Sequence, residues 1–247
     1  MDRSLYLAMN GAKQTLIAQT SNANNIANAQ TTAFKSDFEQ FRSMPSYGPG
    51  FPARAYSMSE RPGSSFATGT LQRTGRELDV AIDGNGWIAV KGADGTEAYT
   101  RAGDLQINAQ GTLQTGSGLT VLNDAGNPVV IPPTRKVIFG SDGTISTIAQ
   151  GANPASTAIL DKIKLVNPDA KNLEKKTDGL FHLIKPAPIQ SDPAVKLVQG
   201  SLESSNVNIM SAMVNMIELS RNYEYQIKVM KTASDNDSAS AQLLQLA

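Results

Sequence analysis

The stretch IMSAMVNMIELSRNYEYQIKVM, residues 209–230, shows the clearest helical repeat in the sequence. From its first residue onward, mostly apolar side chains recur at alternating steps of four and three positions. This series, the predicted seam, consists of Ile209, Met213, Met216, Ser220, Tyr223, Ile227, Met230, Ser234, Asp237, Ala241 and Leu244. A repeat of about 3.5 residues is typical of a helix that buries a narrow stripe against another helix. The pattern therefore predicts a long C-terminal helix with coiled-coil-like packing.

The N-terminal residues carry the same rhythm. The positions involved are Leu5, Met9, Ala12, Leu16, Gln19, Ala23 and Ile26. We expect a helix over residues 3–28 that frays or ends among the asparagines from Asn22 onward, because asparagine side chains compete for backbone hydrogen bonds. The two helices could pack on each other as an ordinary hairpin. However, the small or polar residues of the N-terminal series would bury little apolar surface, so we expect both helices to need neighbouring subunits.

Between the helices, the sequence predicts mainly antiparallel β-structure. Prolines and glycines crowd residues 36–76, which favours an extended arm. Short strand signals then alternate with turns such as Ala93-Asp94-Gly95 and Asp142-Gly143. The predicted fold class is α+β, in which a discontinuous helical domain surrounds a β-rich central domain. The predicted segments are an N-terminal helix (1–35), an extended arm (36–76), a central domain (77–190), a return arm (191–204) and a C-terminal helix (205–247).

The composition argues against several classes of function. Lys and Arg total 22, as do Asp and Glu, so the net charge is zero and we expect no nucleic-acid partner. Without cysteine and with one histidine, His182, nucleophilic triads and zinc sites are nearly excluded. No run approaches the ~20 apolar residues that span a bilayer, so we expect no membrane insertion. The first residues also lack the pattern of a cleavable signal peptide. We expect no catalytic residue, no cofactor and no bound metal.

One set of carboxylates leaves an enzymatic alternative open. Asp79, Asp83, Asp94 and Asp104 are the acidic residues that best suit such a role, and paired carboxylates support glycoside hydrolysis. A peptidoglycan hydrolase that uses Asp83 and Asp104 is therefore the alternative from another class. Most of these residues lie in or before turns, where aspartate bonds its own backbone, and a hydrolase would leave the terminal helices unexplained.

Three separated groups of motifs resemble those of bacterial flagellar rod and hook proteins. They are ANNIAN (23–28) with TTAFK (31–35), LDVAIDGNGW (78–87) with YTRAG (99–103), and SSNVN (204–208) with MI (216–217), RNYE (221–224) and Lys228. The resemblance covers nearly the whole chain, and GRELDVA (75–81) with WIAV (87–90) is most similar to proximal rod members. Many relatives have glycine where this chain has Ala33, and the alanine argues against a positive-φ turn at that point.

The resemblance implies a structural, non-enzymatic subunit of the rod that crosses the periplasm. It implies torque transmission, terminal helices that line the export channel, an outward-facing β-body, and export by the flagellar type III apparatus. The implied partners are other rod proteins including the distal rod subunit, copies of the chain itself, and that export apparatus. A distal rod or hook subunit is the nearest alternative. The residues predicted to contact other subunits are Leu5, Met9, Leu16, Asn25, Ile26, Asn28, Phe34, Asn206, Val207, Ile209, Met213, Met216, Tyr223, Ile227, Met230 and Leu244.

Overall fold

A computed structural model of the chain describes residues 3–45, 55–149, 157–185, 187 and 189–245. Within these residues two long helices enclose the strands in sequence, so the predicted α+β class is confirmed. The helices are α1 (Arg3–Ala27) and α2 (Ile209–Gln245), and a short 3₁₀ turn covers Ala170–Asn172. The end of α1 at Ala27 agrees with the predicted end among the asparagines, and coiled-coil packing of the helices stays a prediction.

The strands are short and follow one another closely. They are β1 (Asp37–Pro45), β2 (Ala55–Ser64), β3 (Leu71–Arg73), β4 (Val80–Asp83), β5 (Trp87–Lys91), β6 (Glu97–Thr100), β7 (Leu105–Ile107), β8 (Leu113–Thr115), β9 (Thr120–Val121), β10 (Thr134–Phe139), β11 (Thr144–Ala149), β12 (Ala158–Lys162), β13 (Leu165–Val166), β14 (Leu173–Lys175), β15 (Phe181–Leu183), β16 (Lys196–Gln199) and β17 (Ser201–Glu203). The turns expected at Ala93-Asp94-Gly95 and Asp142-Gly143 join antiparallel pairs, β5 with β6 and β10 with β11.

The chain divides into two compact units. The helical unit comprises residues 1–29, 37–63 and 207–247, and therefore contains α1, α2 and the two-stranded β1–β2 sheet. The β unit comprises residues 30–36 and 64–206. The chain passes between the units four times, after residues 29, 36, 63 and 206. Residues 37–63, which the sequence places in an extended arm, thus group with the helices.

The β unit has a core on both faces of its main sheet. That sheet follows the order β14-β15-β6-β5-β9-β8-β7, and β13 also pairs with β5. Ile88 and Val90 of β5 point into an aliphatic cluster, whereas Trp87 and Ala89 point into an aromatic cluster that includes Phe181. Alternate residues of a strand face opposite sides, so β5 is buried on both faces and anchors the unit.

The expectation for Ala33 was wrong. This residue has φ of 56°, and it is the one non-glycine residue among those described with a positive φ. An alanine pays about 1–2 kcal/mol for a left-handed conformation. Here the Ala33 N–H donates to the Glu203 carbonyl oxygen at 2.8 Å, and the side chain is buried. Packing and this long-range hydrogen bond hold the turn that a glycine would form more easily.

We expect Ala33→Val to lower the free energy of unfolding of the β unit by about 1–3 kcal/mol, because a β-branched side chain fits neither the positive φ nor the buried site. Ala33→Gly should stay within about 1 kcal/mol of the parent, since relief of strain offsets the entropy that glycine adds to the unfolded chain. Denaturation followed by fluorescence of Trp87, the single tryptophan, measures both. A Val variant as stable as the parent would show that the turn is not held at positive φ.

Candidate subunit interface

Helix α1 turns small and polar side chains toward the interior of the helical unit. Its buried residues are Ala8, Ala12, Ala18, Asn22 and Asn25. A Cβ atom added at Gly11 would lie 3.0 Å from the Gln226 side chain of α2. Two polar links join the helices: Asn22 Nδ2 donates to the Ala212 carbonyl oxygen at 2.7 Å, and Gln19 Nε2 donates to Ser220 Oγ at 3.3 Å. The two helices therefore approach closely with little apolar bulk between them.

Several large apolar residues of α1 lie on the outside, whereas Leu5, Leu7 and Ile26 are half-buried. Tyr6, Met9, Leu16 and Ile17 are all exposed, and Met9 keeps 54 % of its surface accessible. Tyr6, Met9 and Leu16 share one side of the helix, because steps of three and seven return to the same face. An amphipathic helix normally buries such residues against its own core. In α1 this distribution is partly reversed, because these four large residues are exposed while alanines are buried.

Helix α2 shows the same reversal. Among its described side chains, the buried ones are Ala212 and Ala233. The exposed large apolar residues are Met210, Met213, Val214, Ile217, Tyr225, Ile227 and Val229, and Met210 is 73 % exposed. Met210, Met213, Val214 and Ile217 are related by steps of three and four, so they form one apolar patch on the first turns of the helix.

The predicted seam of α2 is partly displaced from the stripe that faces inward. Its members Ile209, Met216, Ser220, Tyr223, Met230 and Asp237 are half-buried, whereas Met213, Ile227, Ser234 and Ala241 are exposed. The inward stripe uses Ala212 and Ala233 in place of Met213 and Ser234, the residues that follow them. The small residues of α1 allow a close approach in which alanine fits and methionine does not. The side chain of Leu244 lies outside the described residues.

The other predicted contact residues are distributed over both units. Leu5, Ile26, Asn28 and Val207 are half-buried, and their role in contacts between subunits stays a prediction. Asn25 brackets the backbone of Asp37: its Oδ1 accepts from the Asp37 N–H at 3.0 Å, and its Nδ2 donates to the Asp37 carbonyl at 2.9 Å. This side chain therefore ties the end of α1 to the start of β1.

The β1–β2 sheet of the helical unit also exposes apolar residues. Phe38, Phe41 and Met44 of β1 and Met58 of β2 are exposed. Asn10 Nδ2 of α1 donates to the carbonyl oxygen of Ser57 at 2.7 Å, which holds β2 to the helix. The helical unit thus carries apolar surface on the helices and, separately, on this sheet.

In the β unit, three charged side chains meet in the interior. Lys35 Nζ donates to Glu203 Oε1 at 2.7 Å, and Arg101 Nε donates to Glu203 Oε2 at 2.6 Å. The N–H of Gly69 also donates to Oε1, at 2.8 Å. Lys35 and Glu203 are 1 % exposed and Arg101 is 4 % exposed. We call Lys35, Arg101, Glu203 and the neighbouring Asn206 the clasp.

The negative charge of Glu203 is compensated within the clasp. Burial alone would raise the pKa of Glu203, but hydrogen bonds from Lys35 and Gly69 and the charge of Arg101 outweigh it, so this pKa lies below its ordinary value. Burial lowers the pKa of Lys35, and the bond to Glu203 opposes the effect. Lys35 also donates to the Ala67 carbonyl at 2.8 Å. Arg101 donates to the carbonyls of Gly84 and Gly86 at 2.9 and 3.1 Å. Glu203 therefore stays ionised between two cations.

Asn206 completes the clasp. Its Oδ1 accepts from the N–H of Ser36 at 2.8 Å, and its Nδ2 donates to the carbonyls of Ser65 and Ala67, each at 3.1 Å. Lys175 Nζ lies 4.1 Å from the centre of the half-buried Phe34 ring and donates to the Lys35 carbonyl at 2.8 Å. Phe34 and Asn206, predicted as contacts between subunits, thus have partners inside this subunit.

Lys35, Arg101 and Glu203 were not among the predicted site residues. Each lies in or beside a quoted motif: Lys35 ends TTAFK, Arg101 lies within YTRAG, and Glu203 precedes SSNVN. The sequence signal that could have identified these residues was a single charged side chain in or beside an otherwise apolar or turn-forming motif. The three groups of motifs, far apart in sequence, converge on this one network, because Gly84 and Gly86 belong to LDVAIDGNGW.

Asp83 and Asp104, the pair of the hydrolase alternative, do not lie opposite each other in the sheet. Asp79 lies opposite Asp104 in an antiparallel bridge, whereas Asp83 ends β4, four residues further along. Four strand residues span roughly 13 Å, whereas catalytic carboxylates of glycosidases lie about 5–9.5 Å apart. Burial and the charge of Asp79 raise the pKa of Asp104. Among the described residues, no group of three or more His, Asp or Glu could hold a metal, and no helix is long and apolar enough to cross a membrane.

Comparisons with known proteins agree on one family. Residues 198–243 match the family model "Flagellar basal body rod FlgEFG protein C-terminal", and residues 81–147 match "Flagellar hook protein FlgE/F/G D1 domain". The chain is 37 % identical to the flagellar basal-body rod protein FlgF of Escherichia coli and 35 % identical to that of Salmonella typhimurium, over the full length of each. It is also 32 % identical to the flagellar basal-body rod protein FlgG of Bacillus subtilis, over 95 % of this chain and 96 % of the relative.

We expect Asp104→Asn to raise the unfolding temperature of the β unit at pH 7. The pKa of Asp104 is raised in the folded state, so its carboxylate destabilises the fold above that pKa and the penalty disappears as pH falls through it. The gain should therefore vanish below about pH 4, near the ordinary pKa of aspartate. Thermal unfolding across pH measures the effect.

Asp94→Asn is the control. Hydrogen bonds from Thr96 lower the pKa of this exposed carboxylate, so the substitution should give no gain in stability at pH 7. Both variants should support swimming. Loss of motility in Asp104→Asn cells, reversed by an added cell-wall hydrolase, would instead favour the enzymatic alternative.

Proposed function

The chain belongs to the flagellar basal-body rod protein family, and from this premise we propose that it is a structural subunit of the proximal rod of the bacterial flagellar basal body. The family consists of structural proteins and not of enzymes. We propose further that the subunit polymerises through its helical unit. Its partners are other copies of the chain and other rod proteins, including the distal rod subunit.

One observation carries this proposal: the buried side chains described on the two helices are alanine and asparagine, whereas many large apolar side chains are exposed and the others are only half-buried. Burying one Met, Leu or Ile side chain contributes about 1.5–3 kcal/mol. Met9, Leu16, Met213 and Ile217 each keep about half of their surface exposed, so about half of this contribution is not obtained in the free subunit. Contiguous exposed apolar surface marks an interaction site. Neighbouring subunits supply the burial that the helices lack.

The distribution of these surfaces favours an open polymer. A contact between two copies of one patch closes into a dimer, whereas a contact between different patches can continue indefinitely along a helix. The helical unit exposes two sets of apolar side chains, one on α1 and α2 and another, Phe38, Phe41, Met44 and Met58, on the β1–β2 sheet. Pairing of one with the other in successive copies builds a filament, as a rod requires.

The finer assignments belong to the same proposal. The terminal helices line the export channel, the β unit faces outward, and the polymer transmits torque across the periplasm. The subunit reaches its site through the flagellar type III export apparatus. A distal rod or hook subunit would use the same helices in the same way, so the choice among rod positions rests on the similarity to FlgF along the full chain.

Ile227→Glu is expected to block rod assembly without unfolding the free subunit. Ile227 is 41 % exposed, so a carboxylate at this position remains hydrated in the monomer. Burying that carboxylate between subunits would cost several kcal/mol, on the order of 2–7, at every contact. Cells that carry the variant should export the protein but lack hooks and filaments. Unfolding curves, secretion assays and electron microscopy of basal bodies provide the measurements.

Asn222→Glu is the matched control, because it makes the same change in charge on the same helix. Asn222 is exposed and lies about 140° around the helix axis from Ile227, at about 100° per residue. Cells with Asn222→Glu should assemble hooks more fully than cells with Ile227→Glu. Normal swimming by Ile227→Glu cells would show that this face carries no contact between subunits.

In dilute solution, the helical unit should open before the β unit. Helices are marginally stable without packing, and most of α2 is exposed. Limited proteolysis of the monomer should therefore remove both termini and leave a fragment that contains residues 64–206. Mass spectrometry identifies the fragment, and assembled rods serve as the protected reference. Termini as resistant as the β unit in the monomer would contradict the need for neighbours.

A further inference from the structure

The clasp gathers the points at which the chain leaves the β unit. The chain crosses between the units after residues 29, 36, 63 and 206. The single side chain of Asn206 bonds to Ser36 and Ser65, which lie at or next to two of the other crossings. The remaining crossing, after residue 29, is followed within a few residues by Ala33, whose N–H donates to the Glu203 carbonyl. All these bonds lie within the β unit.

We propose that Glu203 is a positioning residue for assembly: with Lys35, Arg101 and Asn206, it fixes the relative positions of the four chain segments that lead into α1, β1, β2 and α2. This inference rests on the proposed function of the helical unit. Fixed exit points hold those segments in one arrangement, and contacts between subunits require that every copy present its apolar surfaces in the same way. A small displacement would recur at each step along a polymer.

The chemistry of the clasp suits positioning better than it suits stability. Buried ion pairs contribute little to stability compared with apolar side chains of similar volume, because removing charges from water is costly. Charge-assisted hydrogen bonds are, however, short and directional. Both oxygens of Glu203 are engaged, by partners at 2.6–2.8 Å that belong to separate segments of the chain. An apolar cluster tolerates several packings, whereas this network is satisfied in one.

Glu203 is also the residue that separates positioning from direct contact. It is 1 % exposed, so it cannot touch a neighbouring subunit. A substitution at this position affects assembly either through the stability of the β unit or through the arrangement of the exit segments. A control variant of equal stability distinguishes these two routes.

The test compares Glu203→Gln with a stability-matched core variant in a strain that lacks the chromosomal copy. Ile145 is fully buried in β11, in a different sheet from β17, and Ile145→Val and Ile145→Ala give graded losses of stability. The Ile145 variant with the same unfolding midpoint as Glu203→Gln, read by Trp87 fluorescence, is the reference. Secretion of each variant and the number of hooks per cell are then measured.

We expect Glu203→Gln cells to secrete the subunit but to carry few hooks, while the matched Ile145 cells carry hooks in normal number. Equal hook numbers in the two strains would overturn the inference and leave the clasp with a role in stability alone. If the wild-type copy itself failed to restore hooks, the proposed function would be refuted instead, and the inference with it.

A second pair decides the matter if Glu203→Gln does not fold. Asn206 and Asn123 each make three side-chain hydrogen bonds within the β unit, but the bonds of Asn123 join Ala125, Asn127 and Asp161, away from the crossings. Asn206→Ala should reduce hook number much more than Asn123→Ala at comparable stability. Equal effects of the two substitutions would overturn the inference.

Discussion

The carboxylate of Glu203 is buried and accepts hydrogen bonds from both Lys35 and Arg101. It connects a segment that follows α1, a loop of the β unit and the strand that precedes α2. Lys35 and Arg101 lie 168 and 102 residues before Glu203 in the sequence. No local residue preference would bring these segments together. Once they are joined, the chain can leave the β unit at four fixed points and form its helical unit from separate pieces.

The two units satisfy the hydrophobic effect in different ways. The β unit buries both faces of its central strand β5 and needs no partner to do so. The helical unit instead brings its helices together at small residues, with Gly11 against Gln226 and Ala212 against Asn22, and links the helices through the amides of Gln19 and Asn22. This interior fixes the orientation of the helices at low gain in free energy. Burial of the apolar residues that face outward would contribute more free energy, so we expect assembly, rather than folding of the single chain, to stabilise this unit.

Features that depend on local sequence could be predicted, and features set by tertiary partners could not. The ends of α1, the turns at Asp94-Gly95 and Asp142-Gly143, and the α+β class follow from residue preferences within a few positions. The inward face of α2 was displaced by one residue in places, because the small residues of α1 select alanine there. Ala33 adopts a glycine-like conformation because of a bond to Glu203, on a distant segment. The clasp itself is invisible to periodicity, since buried ion pairs leave no pattern in a single sequence.

The difference between the two units explains why one chain combines a buried charge network with exposed apolar residues on its helices. A subunit that buried its large apolar residues internally would be more stable alone but would present no apolar surface to a neighbouring subunit. A subunit with mobile exit segments would expose those residues in many arrangements. The entropic cost of ordering the segments would then reduce the net free energy of each contact between subunits. With the exit segments fixed in advance by directional bonds, that ordering is completed when the β unit folds. The free energy of apolar burial between subunits is then available for the contact itself.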